Sequence, residues 1–307
     1  MYVTEDLIDQ IKDNTSTEFT QSRFSQSTVI DICNQESLKR IRPIISDLQK
    51  EFFVVSTSVS VSSGDKYVRL PKRAAGRGLR EIYLTVDTER HLLVQVTREQ
   101  ATSEETTDSG IPRKFYFEAD SIVFVRPLSQ DATVEMVIEV SPGSLVLSSA
   151  VTTVSSVDFD TGVVVVSGTP SGYGGAIEYD FIQQLGYGNA VLACGLVPTS
   201  VLGTAYTFTA SSLPKTLKAG DYVTLAGQTP VPNMPDEAVT CLIHAVSTRI
   251  YRLRGDFDGM KAEQKELENS ILYLQQSLAD RIEGQRTTVH NTSSLLRSSK
   301  IRRLKYL

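Results

Sequence analysis

The sequence predicts an α+β protein: a helical bundle formed from the N- and C-terminal segments, a large all-β region inserted between them, and an extended C-terminal tail. Three observations carry this expectation. Apolar residues at both ends recur at spacings of three and four, the signature of one buried helix face. Between the ends the period falls to two, the signature of half-buried strands. Past residue 284 both patterns give way to basic and hydroxyl residues. The expected organisation is helices over 1–55, a β-domain over 56–142, a second β region or insertion over 143–232, long helices over 233–284 that complete the bundle, and a basic docking tail over 285–307.

The totals suit this plan. A chain of 307 residues, 40% hydrophobic and 22% charged, is long enough for two or three compact units with ordinary cores. Its start, Met1-Tyr2-Val3-Thr4-Glu5-Asp6, has neither the basic nor the apolar region of a signal peptide, and no apolar run approaches a membrane span. The expectation is a protein made in the cytoplasm that engages no membrane.

In chain order, Thr4 is a candidate cap for a helix carrying Leu7, Ile8 and Ile11 on one face. Ser25 and Ser27 are candidate caps for a second, with Val29, Ile30 and Cys33. A third pattern runs through Leu38, Ile41, Ile44, Ile45, Leu48 and Phe52, with Pro43 either starting the helix or kinking it. Helices this short need a partner, and the stripe after Pro235 is the candidate. Strands are expected at Val55–Val61, Lys66–Leu70, Arg80–Val86, Leu92–Thr97, Lys114–Glu118, Ser121–Arg126 and Thr133–Val140, with a polar loop over Ala101–Gly110. Further strands are expected near Ser144–Leu147, Val163–Val166, Ile177–Phe181, Ala205–Thr209 and Asp221–Leu225. Pro230, Pro232 and Pro235 then make a stiff joint into a helix that Asp236 and Glu237 start by complementing its dipole. Val239, Leu242, Ile243, Val246, Ile250 and Leu253 form its stripe. Gly255 and Gly259 interrupt it, and Leu267, Ile271, Leu274, Leu278 and Ile282 resume it. Unbroken, this segment would be about 70 Å long.

Charge divides the chain. Residues 281–307 hold seven bases against Glu283, a formal +6, which leaves −11 on residues 1–280 of a chain at −5 overall. In the tail, Leu295, Leu296, Ile301, Leu304, Tyr306 and Leu307 interleave with Arg297, Lys300, Arg302, Arg303 and Lys305. Polyanion binding needs only the charges; anchors together with charges suit a segment that orders in a groove of a protein partner. A second basic group, Arg69, Lys72, Arg73, Arg77 and Arg80, reads either as a solvated turn or as a contact to a neighbouring subunit or to DNA phosphate.

Enzyme chemistry has no foothold in the sequence. His91, His244 and His290 lack HExxH or His-x-His spacing. Gly76-Arg77-Gly78, Ser171–Gly175 and Gly186-Tyr187-Gly188 lack the phosphate-loop patterns and read as turns. Asp158/Asp160 and Asp256/Asp258 stand without further ligands. Cys33, Cys194 and Cys241 are odd in number and widely spaced, which points to buried free thiols. The expectation is no enzyme and no cofactor.

In the succession of its phrases the chain resembles the head-to-tail adaptors of tailed bacteriophages, the neck proteins that dock beneath the portal ring. Leu38-Lys39-Arg40-Ile41-Arg42-Pro43 closes the N-terminal helices. Tyr67-Val68-Arg69-Leu70-Pro71, Phe115-Tyr116-Phe117 and Ile122-Val123-Phe124-Val125-Arg126-Pro127 follow in the β region. The most telling stretch is Ala219-Gly220-Asp221-Tyr222-Val223 with Leu225-Ala226-Gly227-Gln228-Thr229-Pro230-Val231-Pro232-Asn233-Met234-Pro235, which leads into the last helices and the basic tail. The β region 143–231 is larger than in compact adaptors. The resemblance implies a structural virion protein of the head–tail junction, made in the host bacterial cytoplasm. It would form a homo-oligomeric ring, a dodecamer, around a channel for packaged DNA. Its partners would be the portal protein and further neck or tail proteins, and portal binding would fall to Arg297, Lys300, Ile301, Arg302, Arg303, Leu304, Lys305, Tyr306 and Leu307. The alternative is a nucleic-acid-binding protein that uses the basic tail.

Overall fold

The computed structural model describes residues 2–16, 24–104, 109–184 and 191–278. Among them strands dominate: 17 strands in four sheets against six short to medium α-helices. This corrects the expected α+β architecture of a terminal helical bundle carrying a β insertion. The protein is a mixed, mostly β molecule in which the helices at the two ends are small.

The N-terminal helices are α1 (Thr4–Thr15), α2 (Gln26–Glu36) and α3 (Arg42–Leu48), with a π-type turn, Ser37–Ile41, between the last two. Strands β1 (Val54–Val61), β2 (Tyr67–Arg69), β3 (Ala74–Val86), β4 (Glu89–Leu92) and β5 (Val94–Gln95) follow, then α4 (Arg98–Glu104), β6 (Lys114–Glu118), β7 (Ser121–Phe124) and β8 (Ala132–Val140). The next group is β9 (Ser144–Leu145), β10 (Thr152–Asp158), β11 (Val163–Val166), β12 (Tyr179–Ile182), β13 (Val191–Leu196), β14 (Ser200–Leu202), β15 (Ala205–Thr207), β16 (Tyr222–Leu225) and β17 (Gln228–Thr229). Helices α5 (Asp236–Arg254) and α6 (Phe257–Leu278) end the described chain.

The first part of the β region builds two four-stranded sheets, ordered β1-β8-β3-β4 and β2-β7-β6-β5. Strand β8 sits inside the first, and its alternation places Ala132, Val134, Met136, Ile138 and Val140 in the core. Residues 152–225 build a seven-stranded sheet, β13-β12-β16-β10-β11-β15-β14, with its own core of Tyr179, Phe181, Tyr206 and Phe208. The short parallel pair β9–β17 ties the two ends of this region together.

The reason no free-standing bundle forms lies in what the helices bury. Leu7, Ile11, Val29, Ile32 and Ile45 share one continuous core with Ile82, Leu84, Val134 and Ile138 of the first sheet and with Val239, Leu242 and Val246 of α5. The terminal helices are thus a layer laid on a β core, since none is long enough to hold itself. Local signals still set their ends. The Ser25 hydroxyl accepts the Thr28 N–H at the start of α2, and Pro43 falls in the first turn of α3. Thr4, the expected cap of α1, is instead its first helical residue, with its hydroxyl donating to the Pro230 carbonyl. The loop expected at 101–110 begins as α4.

Candidate docking surfaces

Helix α5 starts on Pro235 with Asp236 and Glu237 in its first turn and ends with Arg252 and Arg254 before Gly255, which is left-handed at φ 79°. It is buried around much of its circumference, through Ala238, Leu242, Ala245, Val246 and Ile250 among others. The chain does not continue as one arm: α6 folds back along α5. His244 Nδ1 and Glu263 Oε2, 2.8 Å apart, pin the middle of this hairpin. Near the turn, a Cβ on Gly259 would stand 2.7 Å from the Tyr251 ring, so any larger residue requires a neighbour to shift. Helix α6 gives just Leu267 and Leu274 to the interior, and it leaves Phe257, Leu272 and Tyr273 exposed. The expected portal-binding residues, Arg297, Lys300, Ile301, Arg302, Arg303, Leu304, Lys305, Tyr306 and Leu307, lie outside the described residues.

The five cations of the 69–80 group are separated by the fold. Arg73 enters the interior and donates to Asp180. Arg69 pairs with Asp120, Lys72 with Glu178 and Arg80 with Glu51. Arg69 and Lys72 remain largely exposed in these pairs. The Arg77 side chain lies outside the described residues.

The structure adds two charged surfaces. The first is a cleft of about 410 Å³ lined by Ile111, Arg113, Lys114, Val125 and Arg126. Strands β6 and β7 pair antiparallel, Phe115 opposite Phe124, and the Val125 N–H donates to the Lys114 carbonyl. Arg113 precedes β6 and Arg126 follows β7, and both line the same cleft. Arg113 Nη1 donates to His91 Nδ1 at 2.9 Å, and the other nitrogen of His91 faces Glu89 at 3.5 Å. Exposed Val94 lies alongside, its N–H donating to the Arg113 carbonyl. The second surface is a cleft of about 480 Å³ lined by Tyr2, Asp6, Asp9, Gln10, Asp13 and Asp236. Positions 6, 9 and 13 share one face of α1, and Lys12 is the only base on that helix. The α1 spacing is visible in the sequence, whereas the basic cleft exists only once the 114–124 hairpin closes.

Elsewhere the polar groups serve the fold. Asp158 accepts from the N–H groups of Asp160 and Thr161 and from the Thr161 hydroxyl, which holds its carboxyl below the usual range and closes the β10–β11 turn. Burial pushes the Cys33 and Cys194 thiols up to about 12 and that of Cys241 to about 11, so they are protonated and inert near neutrality. Among the described residues no group of His, Cys, Asp and Glu is placed to hold a metal ion, and no helix is long and apolar enough to cross a membrane. His290 lies outside the described residues. No family model and no curated protein matches the sequence.

Proposed function

We propose that this chain is a structural virion protein, the head-to-tail adaptor of a tailed bacteriophage. It forms a ring below the portal and joins capsid to tail around the DNA channel. The observation that supports this reading best is the open face of helix α6. Helix α6 rides on the outside with one face used and Leu272 and Tyr273 uncovered, and Leu278 leads straight into the basic, leucine- and tyrosine-bearing stretch up to Leu307. A helix with one face committed has another for a neighbour. The 29 residues beyond it span up to about 100 Å when extended, enough to reach a separate protein. The portal as partner and the dodecameric ring come from the sequence resemblance alone.

A single short tail binds weakly. A ring engages many tails at once, and effective concentration turns modest affinities into a lasting joint. The acidic body suits a channel protein past which DNA must slide.

Mass photometry tests this with a purified portal ring, full-length chain, and chain truncated before Arg297. The full-length chain is expected to be small alone at nanomolar concentration and to add to the portal in a fixed multiple, and the truncated chain to fail. A chain that ignores the portal but binds DNA with a steep salt dependence overturns the adaptor reading in favour of a phosphate-gripping tail.

A further inference from the structure

Three sheet edges open into one groove. Strand β1 is the outer strand of the first sheet, β2 of the second four-stranded sheet and β13 of the seven-stranded sheet, and all three line a groove of about 280 Å³. Val59, Leu70, Leu196 and Val197 make its walls apolar, and Thr57 and Ser60 add hydroxyls. The ladders show which backbone groups are left over. The Phe124 N–H donates to the Lys66 carbonyl and the Leu70 N–H to the Asp120 carbonyl. By the alternation of an antiparallel pair, Val68 then faces β7, while the N–H and C=O of Tyr67 and Arg69 point away from it. On β1 the Val140 N–H donates to the Phe53 carbonyl, so Ser60 likewise turns its backbone groups to the open side. Among the described residues these three positions have no backbone partner on that side. An edge of this kind pairs with an added strand unless something covers it.

The groove also has acceptors to offer. Glu178 Oε2 is enclosed yet accepts no hydrogen bond among the described residues, and Lys72 Nζ approaches it at 3.5 Å. Asp65 is a second carboxylate of the lining, and the base there, Arg69, is paired with Asp120.

The chain supplies a segment of matching chemistry. After Gly284 comes Arg286-Thr287-Thr288-Val289-His290-Asn291-Thr292, the densest β-branched run beyond Leu278, with Arg286 to complement the two carboxylates. It starts in the right quarter of the molecule. Helix α6 runs back along α5 with Glu263 beside His244, so it ends past the first turn of α5. From that turn the chain leads back to Gly227, whose N–H shares the Asp180 carboxylate with that of Gly195 in the groove wall. Gly227 to Asp236 is nine residues, about 30 Å at most, whereas the 14 residues from Leu278 to Thr292 span up to about 50 Å.

We infer that residues 286–292 dock in this groove of their own chain as a strand added to β2, bonding the free N–H and C=O groups of Tyr67 and Arg69. The segment ends before Arg297, so the contact does not depend on the portal reading. It anchors the middle of the tail and leaves the last residues to reach outward.

Amide exchange in the full-length chain, followed by NMR, tests it. The Tyr67 and Arg69 amides are expected to exchange slowly, at rates that do not change with protein concentration. Thr288→Pro with Val289→Pro removes two adjacent donors from the segment and is expected to speed both amides at least about tenfold, with Val68, bonded within the sheet, unchanged. A peptide of residues 284–294, added to that variant, is expected to slow them again. Fast exchange of Tyr67 and Arg69 in wild type overturns the inference, as does a proline variant as slow as wild type or a peptide without effect. Slowing that grows with concentration also overturns it, because the strand then comes from a second copy. Fast exchange in a chain that still adds to the portal in a fixed multiple removes the groove contact and leaves the adaptor reading standing. Slow exchange, released by the prolines, in a chain that ignores the portal does the reverse.

Discussion

Arg73 Nη1 donates to Asp180 Oδ2 at 3.0 Å, and both side chains are shut off from solvent, at 1% and 0% exposure. Arg73 sits in the turn just before β3 of the first sheet, and Asp180 lies in β12 of the seven-stranded sheet, so this contact helps tie the two β regions together. The pair is well supplied: Asp180 also accepts from the Gly195 and Gly227 N–H groups, and Arg73 Nε donates to the Ser141 carbonyl. Burial pushes the Asp180 carboxyl up, and Arg73 with the two N–H groups pulls it back. Gly143 makes room for the guanidinium, since a Cβ there would stand 2.5 Å from Arg73 Nη2.

Removing one partner of such a pair leaves an uncompensated buried charge. Arg73→Ala is expected to destabilise the protein by about 3–5 kcal/mol, read as a lowered urea midpoint. Arg73→Met with Asp180→Leu is expected to recover most of that loss, because the buried charges go together. A double variant as unstable as the single one counts against this account.

The surface pair Arg69–Asp120 behaves differently. The hydrogen bond from Arg69, aided by a backbone N–H, lowers the Asp120 pKa. A folded pKa below the unfolded one means a contribution that is present above the ordinary aspartate range and fades as pH falls through the folded value. An NMR titration of the Asp120 carboxyl is expected to give a midpoint below that of an ordinary aspartate, and Arg69→Ala to return it upward. With both side chains largely exposed, global stability is expected to stay nearly constant.

The α5–α6 turn depends on close approach. Gly259→Ala drives a methyl into the Tyr251 ring and is expected to cost about 1–3 kcal/mol. Because Tyr251 also donates from its hydroxyl to the Asn14 carbonyl, the strain is expected to reach the end of α1, seen as faster amide exchange at both places.

Helix α6 has one anchored and one open face. Leu274→Ala, at 0% exposure, is expected to cost about 2–5 kcal/mol and to loosen α6 first in hydrogen exchange. Leu272→Ser, two residues away at 57% exposure, is expected to change stability by no more than about 0.5 kcal/mol. Equal effects at the two positions would mean that α6 packs by another face.

The sequence by itself determined what is local. The alternation of β8, the Ser25 cap, Pro43 in the first turn of α3 and the Pro235–Asp236–Glu237 start of α5 all follow from residue chemistry within a few positions. The division of charge between body and tail was equally plain. Only the tertiary structure decided the architecture, because a helical stripe says that a face is buried but not against what. The stripes of α1 and α2 pack on α5 and share one core with it and with the first β-sheet, in a protein that is mostly β with small terminal helices. Burial of Arg73 was hidden for a related reason: its partner lies 107 residues away, and a basic loop reads as solvated until the far strand arrives. The basic cleft likewise needs the 114–124 hairpin to bring Arg113 and Arg126 to one cleft, since charge density depends on distance in space rather than along the chain.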